Sequence, residues 1–249
     1  MMTHDADYNS QETQGPFIAR DPNWQPKAYT ADYKYTIARA PKLPALSVAN
    51  TVSEMTGPVF SKEILGKQDN DLIHNYARSG EAATGEPIIV HGKVVDEHKR
   101  PMKGVLVEFW QTNASGRYRH KTHNIAVPLD PNFGGFGRFI TDNEGHYWFR
   151  TIRPGGYPWP NGPNAWRPPH IHFSVFGYAF AQRLISQMYF SGDPLVWQCP
   201  IVRSISDTDA IETLLAKPDI ENSAPMDALA YRFDVVLRGR RMTFFENHE

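Results

Sequence analysis

"HIHFSVFGY", residues 170–178, alternates polar and apolar side chains, and that alternation decides what surrounds it. Successive side chains of an extended chain point to opposite faces. Ile171, Phe173 and Val175 therefore share one face, and His170, His172 and Ser174 share the other. The apolar face belongs against a core. The two imidazoles project together from the other face, roughly 7 Å apart at Cα for a rise of about 3.3 Å per residue. That separation suits a shared metal ion. It suits equally well the outer face of an antiparallel strand, where polar residues are normal.

Outward from this stretch the same kind of run recurs. "IIVHGKVVD" (88–96) puts Ile88, Val90 and Val94 on one face, and "GVLVEFWQT" (104–112) does so with Val105, Val107 and Phe109. "YWFRTI" (147–152), "LISQMYF" (184–190), "YRFDVVLRG" (231–239) and "MTFFE" (242–246) are further short runs rich in β-branched and aromatic residues, separated by Gly, Pro, Asn and Asp. Some seven strands predict an all-β fold, a two-sheet β-sandwich. "DTDAIETLLAKP" (207–218) has acidic residues in its first turn, Ile211, Leu214 and Leu215 on one stripe and Pro218 as a stop, so it reads as a helix. "NDLIHNYARSG" (70–80) reads as a second short helix ending at Gly80. Residues 1–85 carry little periodicity and are broken by Pro16, Pro22, Pro26, Pro41, Pro44 and Pro58. The expected organisation is an extended N-terminal arm over 1–85 and a β-sandwich catalytic domain over 86–249.

Composition narrows the function. The 249 residues carry a formal net charge of −1, with no basic excess to suit nucleic acid. No apolar run approaches the roughly 18–20 residues that span a bilayer. One cysteine, Cys199, allows no intrachain disulfide, and the first residues lack the apolar core of a signal peptide, so the expectation is a cytoplasmic protein. A small molecule or another protein is the expected partner.

The His pair fits several metal patterns poorly. A cupin-like site wants a glutamate soon after the pair, yet none follows until Glu212. A two-His-one-carboxylate iron site places Asp or Glu two residues from the first His, where this chain has His172. Structural zinc wants thiolates, and Cys199 stands alone. Two of the eleven tyrosines sit in unusual settings, Tyr118 in "NASGRYRHK" (113–121) and Tyr157 in "RPGGYPWPNGP" (153–163). Both follow expected strands, in loops that a sandwich holds rigidly.

The runs "VEFWQTNASGRYRHK" (107–121), "LDPNFGGFGRFITDNEGHYWFRTIRPGGYPWPNGPNAWRPPHIHF" (129–173) and "YRFDVVLRG" (231–239) resemble the intradiol ring-cleaving dioxygenases. The likeness extends from "RDPNWQPKAYTADY" (20–33) to "FEN" (245–247). It implies one non-haem Fe(III) per chain, held by Tyr118, Tyr157, His170 and His172. Arg167, three residues before the first His, matches an arginine that faces anionic charge on the substrate. Tyr33, Trp159 and Gln187 match residues around the substrate pocket.

Two tyrosinates and a hydroxide neutralise Fe(III), so such a site buries no net charge. The resemblance implies that Tyr157 is the ligand that would leave when a catechol binds and would help take its proton. The implied reactants are a small aromatic diol and O₂. The implied partner is an α subunit without iron, in a hetero-oligomer of αβ pairs. Homomeric catechol and hydroxyquinol 1,2-dioxygenases carry a helical N-terminal dimerisation domain, for which the proline-broken arm leaves no room. A non-catalytic sandwich subunit would require loss of ligands that are all present. His120, His123 and His146 receive no role.

Overall fold

In the computed structural model, residues 13–14, 17–18, 29–39, 47–48, 59–123, 125–177 and 183–237 are described. In chain order their elements are β1 (Thr13–Gln14), β2 (Phe17–Ile18), α1 (Tyr35–Arg39), β3 (Ser47–Val48), β4 (Pro87–Val95), β5 (Leu106–Gln111), β6 (Phe136–Ile140) and β7 (His146–Ile152). There follow β8 (Tyr157–Pro158), β9 (Trp166–Arg167), β10 (His170–Phe176), β11 (Arg183–Phe190), α2 (Thr208–Glu212), β12 (Leu215–Ala224), β13 (Ala228–Arg232) and β14 (Val235–Val236). The chain is nearly all β, with short helices. No helix among the described residues is long and apolar enough to cross a membrane.

Strand β10 lies antiparallel between β5 and β11, with β6 outside β5. Strand β4 pairs with β7 on one side and with β13 on the other, and β12 extends beyond β13. The two groups meet where β11 and β12 run parallel for two residue pairs, Tyr189 with Leu215 and Phe190 with Ala216. The result is a nine-stranded sheet, eight strands in one path and β7 beside β4, folded so that two layers face one another across a shared core.

The core between the layers is the one the alternation predicts. Ile171, Phe173 and Val175 are fully buried with Val107 and Phe109 of β5, Ile88, Val90 and Val94 of β4, and Phe149 of β7. Phe109 and Phe149 stack across the layers at 3.7 Å between ring centroids. Each such side chain contributes about 1.5–3 kcal/mol by leaving water.

Local readings fail where tertiary bonds compete with propensity. Residues 70–80 form turns rather than a helix. Asp71 Oδ1 accepts from the Ile73 N–H at 3.1 Å, Asp71 Oδ2 meets His74 Nδ1 at 2.8 Å, and the Leu72 N–H goes to the Arg150 carbonyl of β7. Helix α2 starts as expected, with Asp207 Oδ1 accepting from the Asp209 N–H, but it ends at Glu212. Leu215 then pairs with β11, and Pro218 lies inside β12 opposite Tyr231 instead of stopping a helix. The run at 231–239 divides at Phe233, whose N–H donates to His91, and both pieces lie parallel to β4. Strands β6 and β12 were not expected, and the expected strand at 242–246 lies outside the described residues.

Candidate metal centre

Strand β10 delivers both imidazoles to the face opposite the core, as its alternation requires. That face is not open to water. His170 and Ser174 are buried and His172 is half-buried, with Tyr118 and Tyr157 against the imidazoles and Arg183 Nε donating to Ser174 Oγ. His172 lies across from Trp110 of β5 and Gln187 of β11, and its ring stacks on Trp110 at 4.9 Å and 2°.

The two tyrosine loops are pressed together backbone to backbone. After β5, Asn113 Oδ1 accepts from the N–H groups of Ser115 and Arg117, and Gly116 takes φ +84°. The position of a Cβ on Gly116 lies 2.3 Å from the Gly156 carbonyl oxygen and 3.3 Å from Tyr157 Cβ. Only glycine allows that approach. The Gly155 N–H donates to the Asn113 carbonyl, and Tyr157 pairs with Arg167 in the short β8–β9 ribbon. Asn113, which carried no signal in the sequence, is thus the hub of the loop that presents Tyr118.

Four expected ligands converge. Tyr118 Oη lies 3.1 Å from His170 Nε2 and 3.0 Å from His172 Nε2. The buried Tyr157 ring sits 5.6 Å from each of the Tyr118 and His170 rings. His170 Nδ1 bonds the Pro168 carbonyl at 2.6 Å, which puts the proton on Nδ1 and leaves the Nε2 lone pair facing the cluster. Burial holds the His170 pKa well below the usual imidazole range, with the Arg167 and His172 charges adding to the effect and the Pro168 bond opposing it. A neutral imidazole with a fixed tautomer is the form that ligates.

The donor set fits a metal. A first-row ion with bonds of about 2.1 Å holds cis ligands about 3.0 Å apart, the spacing of Tyr118 Oη from each of the two Nε2 atoms. Phenolate oxygens with imidazole nitrogens form a hard, anionic set suited to a trivalent ion. Asp142, Glu144 and His146 also approach one another, but Asp142 Oδ1 accepts from the N–H groups of both others and closes an exposed turn.

Arg167 is 6% exposed. Its Nη2 donates to Gln187 Oε1 and, at 3.2 Å, to Tyr189 Oη, which itself donates to Gln187 Oε1 at 2.8 Å. The guanidinium lies 5.6 Å from the Trp159 ring. Gln187, expected at the pocket, therefore holds Arg167. Tyr189 was missed, although the alternation of "LISQMYF" places it on the Gln187 face. Tyr33 and Tyr35 pack on Trp159 at 5.7 and 5.8 Å. Asn161 fixes this contact by accepting from the Lys34 N–H and donating to the Asp32 carbonyl. A cavity of about 420 Å³ reaches the cluster, its walls including Trp110, Tyr118, His123, Phe136 and His172. Arg167 and Trp159 are not among its described walls.

His123, given no role from sequence, stands against both tyrosines. Its ring is 5.2 Å from Tyr118 and 4.9 Å from Tyr157, edge to face in each case, and its Nδ1 accepts from the Tyr118 N–H at 3.1 Å.

Comparison with known proteins follows the same lines. A family model described as "Dioxygenase" matches residues 55–239, and one described as "Protocatechuate 3,4-dioxygenase beta subunit N terminal" matches residues 18–51. The chain is 45% identical to the protocatechuate 3,4-dioxygenase beta chain of Burkholderia cepacia, over 93% of this chain and 98% of that one. It is 27% identical to the protocatechuate 3,4-dioxygenase alpha chain of Pseudomonas putida, over 82% and 98%. The solved hydroxyquinol 1,2-dioxygenase of Pseudomonas putida DLL-E4 shares the fold, with a TM-score of 0.50 at 23% identity, over 83% of this chain and 71% of that one.

Proposed function

The chain belongs to the intradiol ring-cleaving dioxygenases, oxidoreductases that use non-haem iron, and on that premise we propose that it is the iron-bearing β subunit of a protocatechuate 3,4-dioxygenase. It inserts both atoms of O₂ into 3,4-dihydroxybenzoate between the two hydroxyl carbons, giving 3-carboxy-cis,cis-muconate. The observation that carries this reading is the approach of Tyr118 Oη to both imidazole Nε2 atoms beside the Tyr157 ring. Tyr118, Tyr157, His170 and His172 would hold one Fe(III). When bound, that ion supplies a Lewis acid for the catechol oxygens and a one-electron route that lets a singlet ring react with triplet O₂.

The protein groups do the rest. The His170 Nδ1–H to Pro168 bond keeps Nε2 available, and the Trp110 ring under His172 fixes that imidazole in rotation. Tyr157 Oη takes a proton from one catechol hydroxyl, a role open to a ligand whose ring sits at the end of a two-residue strand. Arg167, itself buried and anchored by Gln187 and Tyr189, meets anionic charge developing on the ring. Trp159 and Tyr33 wall the substrate. The likeness to both α and β chains supports a hetero-oligomer of αβ pairs, in which the α subunit helps bind the substrate carboxylate.

The test is iron analysis and visible absorption of the protein co-expressed with its α subunit, with O₂ uptake on 3,4-dihydroxybenzoate. A red-brown, iron-loaded protein consuming one O₂ per substrate is expected. A fully iron-loaded but colourless protein would overturn the tyrosinate assignment.

A further inference from the structure

Three aromatic rings make a corner at the cluster. Tyr118, Tyr157 and His123 lie 4.9–5.6 Å apart, with interplanar angles of 78°, 81° and 85°. Edge-to-face contacts of this kind are favourable and directional, so each ring restrains the tilt of the other two. The third ring is also tied to the backbone that carries the first. His123 Nδ1 accepts the Tyr118 N–H, which places the ring proton on Nε2. That Nε2 is buried and has no hydrogen-bond partner among the described residues. A buried donor left without an acceptor calls for an explanation beyond packing.

We infer that His123 is a positioning residue: its imidazole edge, braced on the Tyr118 backbone, sets the angle between the Tyr118 and Tyr157 rings. The inference rests on the reading of these tyrosines as ligands. Overlap between a phenolate oxygen and a metal depends on the tilt of the phenol ring. The brace therefore sets the energy of phenolate-to-metal charge transfer and the ease with which Tyr157 is exchanged for substrate. It contributes no ligand atom of its own.

Two substitutions separate the ring from its backbone anchor. His123→Asn keeps an acceptor for the Tyr118 N–H and removes the aromatic edge, whereas His123→Phe keeps the edge and removes the acceptor. Both are measured in the αβ protein for iron content, the visible charge-transfer band, resonance Raman of the tyrosinate modes, and kcat and KM. The expected result is full iron content in both variants, with a band shift larger in His123→Asn than in His123→Phe. The kcat should fall roughly tenfold in His123→Asn with KM within about twofold. Equal shifts, the reverse order, or a wild-type spectrum in His123→Asn overturns the inference. The underlying ligand reading fails separately, if the wild-type protein binds iron and shows no such band.

Discussion

Replacing Gly116 with alanine tests whether the site depends on backbone contact between its two tyrosine loops. Two penalties arise. A Cβ at φ +84° carries about 1–2 kcal/mol of backbone strain. It would also stand 2.3 Å from the Gly156 carbonyl oxygen, where ordinary contact begins near 3.4 Å, so one loop must retreat by about 1 Å. Overpacking of that kind typically costs 1–3 kcal/mol more. The sum is about 2–5 kcal/mol, or a fall in Tm of roughly 4–20 °C for a chain of this size. Gly104 supplies the control, because it has φ +69° and nothing within 4 Å of a Cβ, so Gly104→Ala carries the strain without the collision. Its Tm should fall by roughly 2–8 °C. Because the retreat separates Tyr157 from Tyr118, Gly116→Ala should also lose most of its iron and its visible band, and Gly104→Ala should keep both. Calorimetry, iron analysis and an absorption spectrum on the three proteins decide the matter. Equal Tm losses with iron retained in both variants would refute the idea that loop-to-loop contact sets the site.

Arg167→Ala should lower kcat by 10²–10³, about 3–4 kcal/mol of transition-state stabilisation, while iron content stays near wild type; parallel loss of iron and rate would make Arg167 a prop for the loop. Tyr118→Phe and Tyr157→Phe should each shift or weaken the visible band, read directly from spectra at matched iron content. Asn161→Ala removes two bonds to the Lys34 and Asp32 backbone, about 1–3 kcal/mol together, and should expose residues 29–39 to limited proteolysis roughly 5- to 150-fold faster. The His170 pKa is depressed in the fold, so the unfolded chain binds a proton there that the native chain refuses. Stability of the metal-free protein from this group is full above about pH 6.5 and declines as pH falls, by up to about 1.4 kcal/mol per unit. His170→Gln should flatten that slope in urea titrations run at several pH values.

Strand β10 was legible because one short run states both its period and its buried face, and the same holds for β4, β5, β7 and β11. The helix at 70–80 was misread because Asp71 turns its carboxylate onto its own loop, and the Leu72 N–H is claimed by a strand nearly eighty residues later. Propensity carries no record of such partners. Leu214 and Leu215 fit a helical stripe as well as the entry to a strand, and the pairing of Leu215 with Tyr189 decides between them. At the site, Tyr118, Tyr157, His170 and His172 lie close together, whereas the groups that hold them went unread. Asn113, Tyr189 and His123 act through hydrogen bonds and ring contacts across loops, and none has a spacing that announces it.

The docking of Tyr33 and Tyr35 on Trp159, fixed by Asn161, has a consequence in time. Lys34 and Asn161 are separated by 127 residues, so at 5–20 residues per second a ribosome delivers the dock roughly 6–25 s after the segment that must find it. Until then Tyr33 and Tyr35 lack the Trp159 ring on which both pack. The Trp159 ring, and the guanidinium beside it, take up their final setting only when residues 33–35 return to them. A messenger whose translation slows between these two points should lengthen that interval without changing any contact in the finished protein.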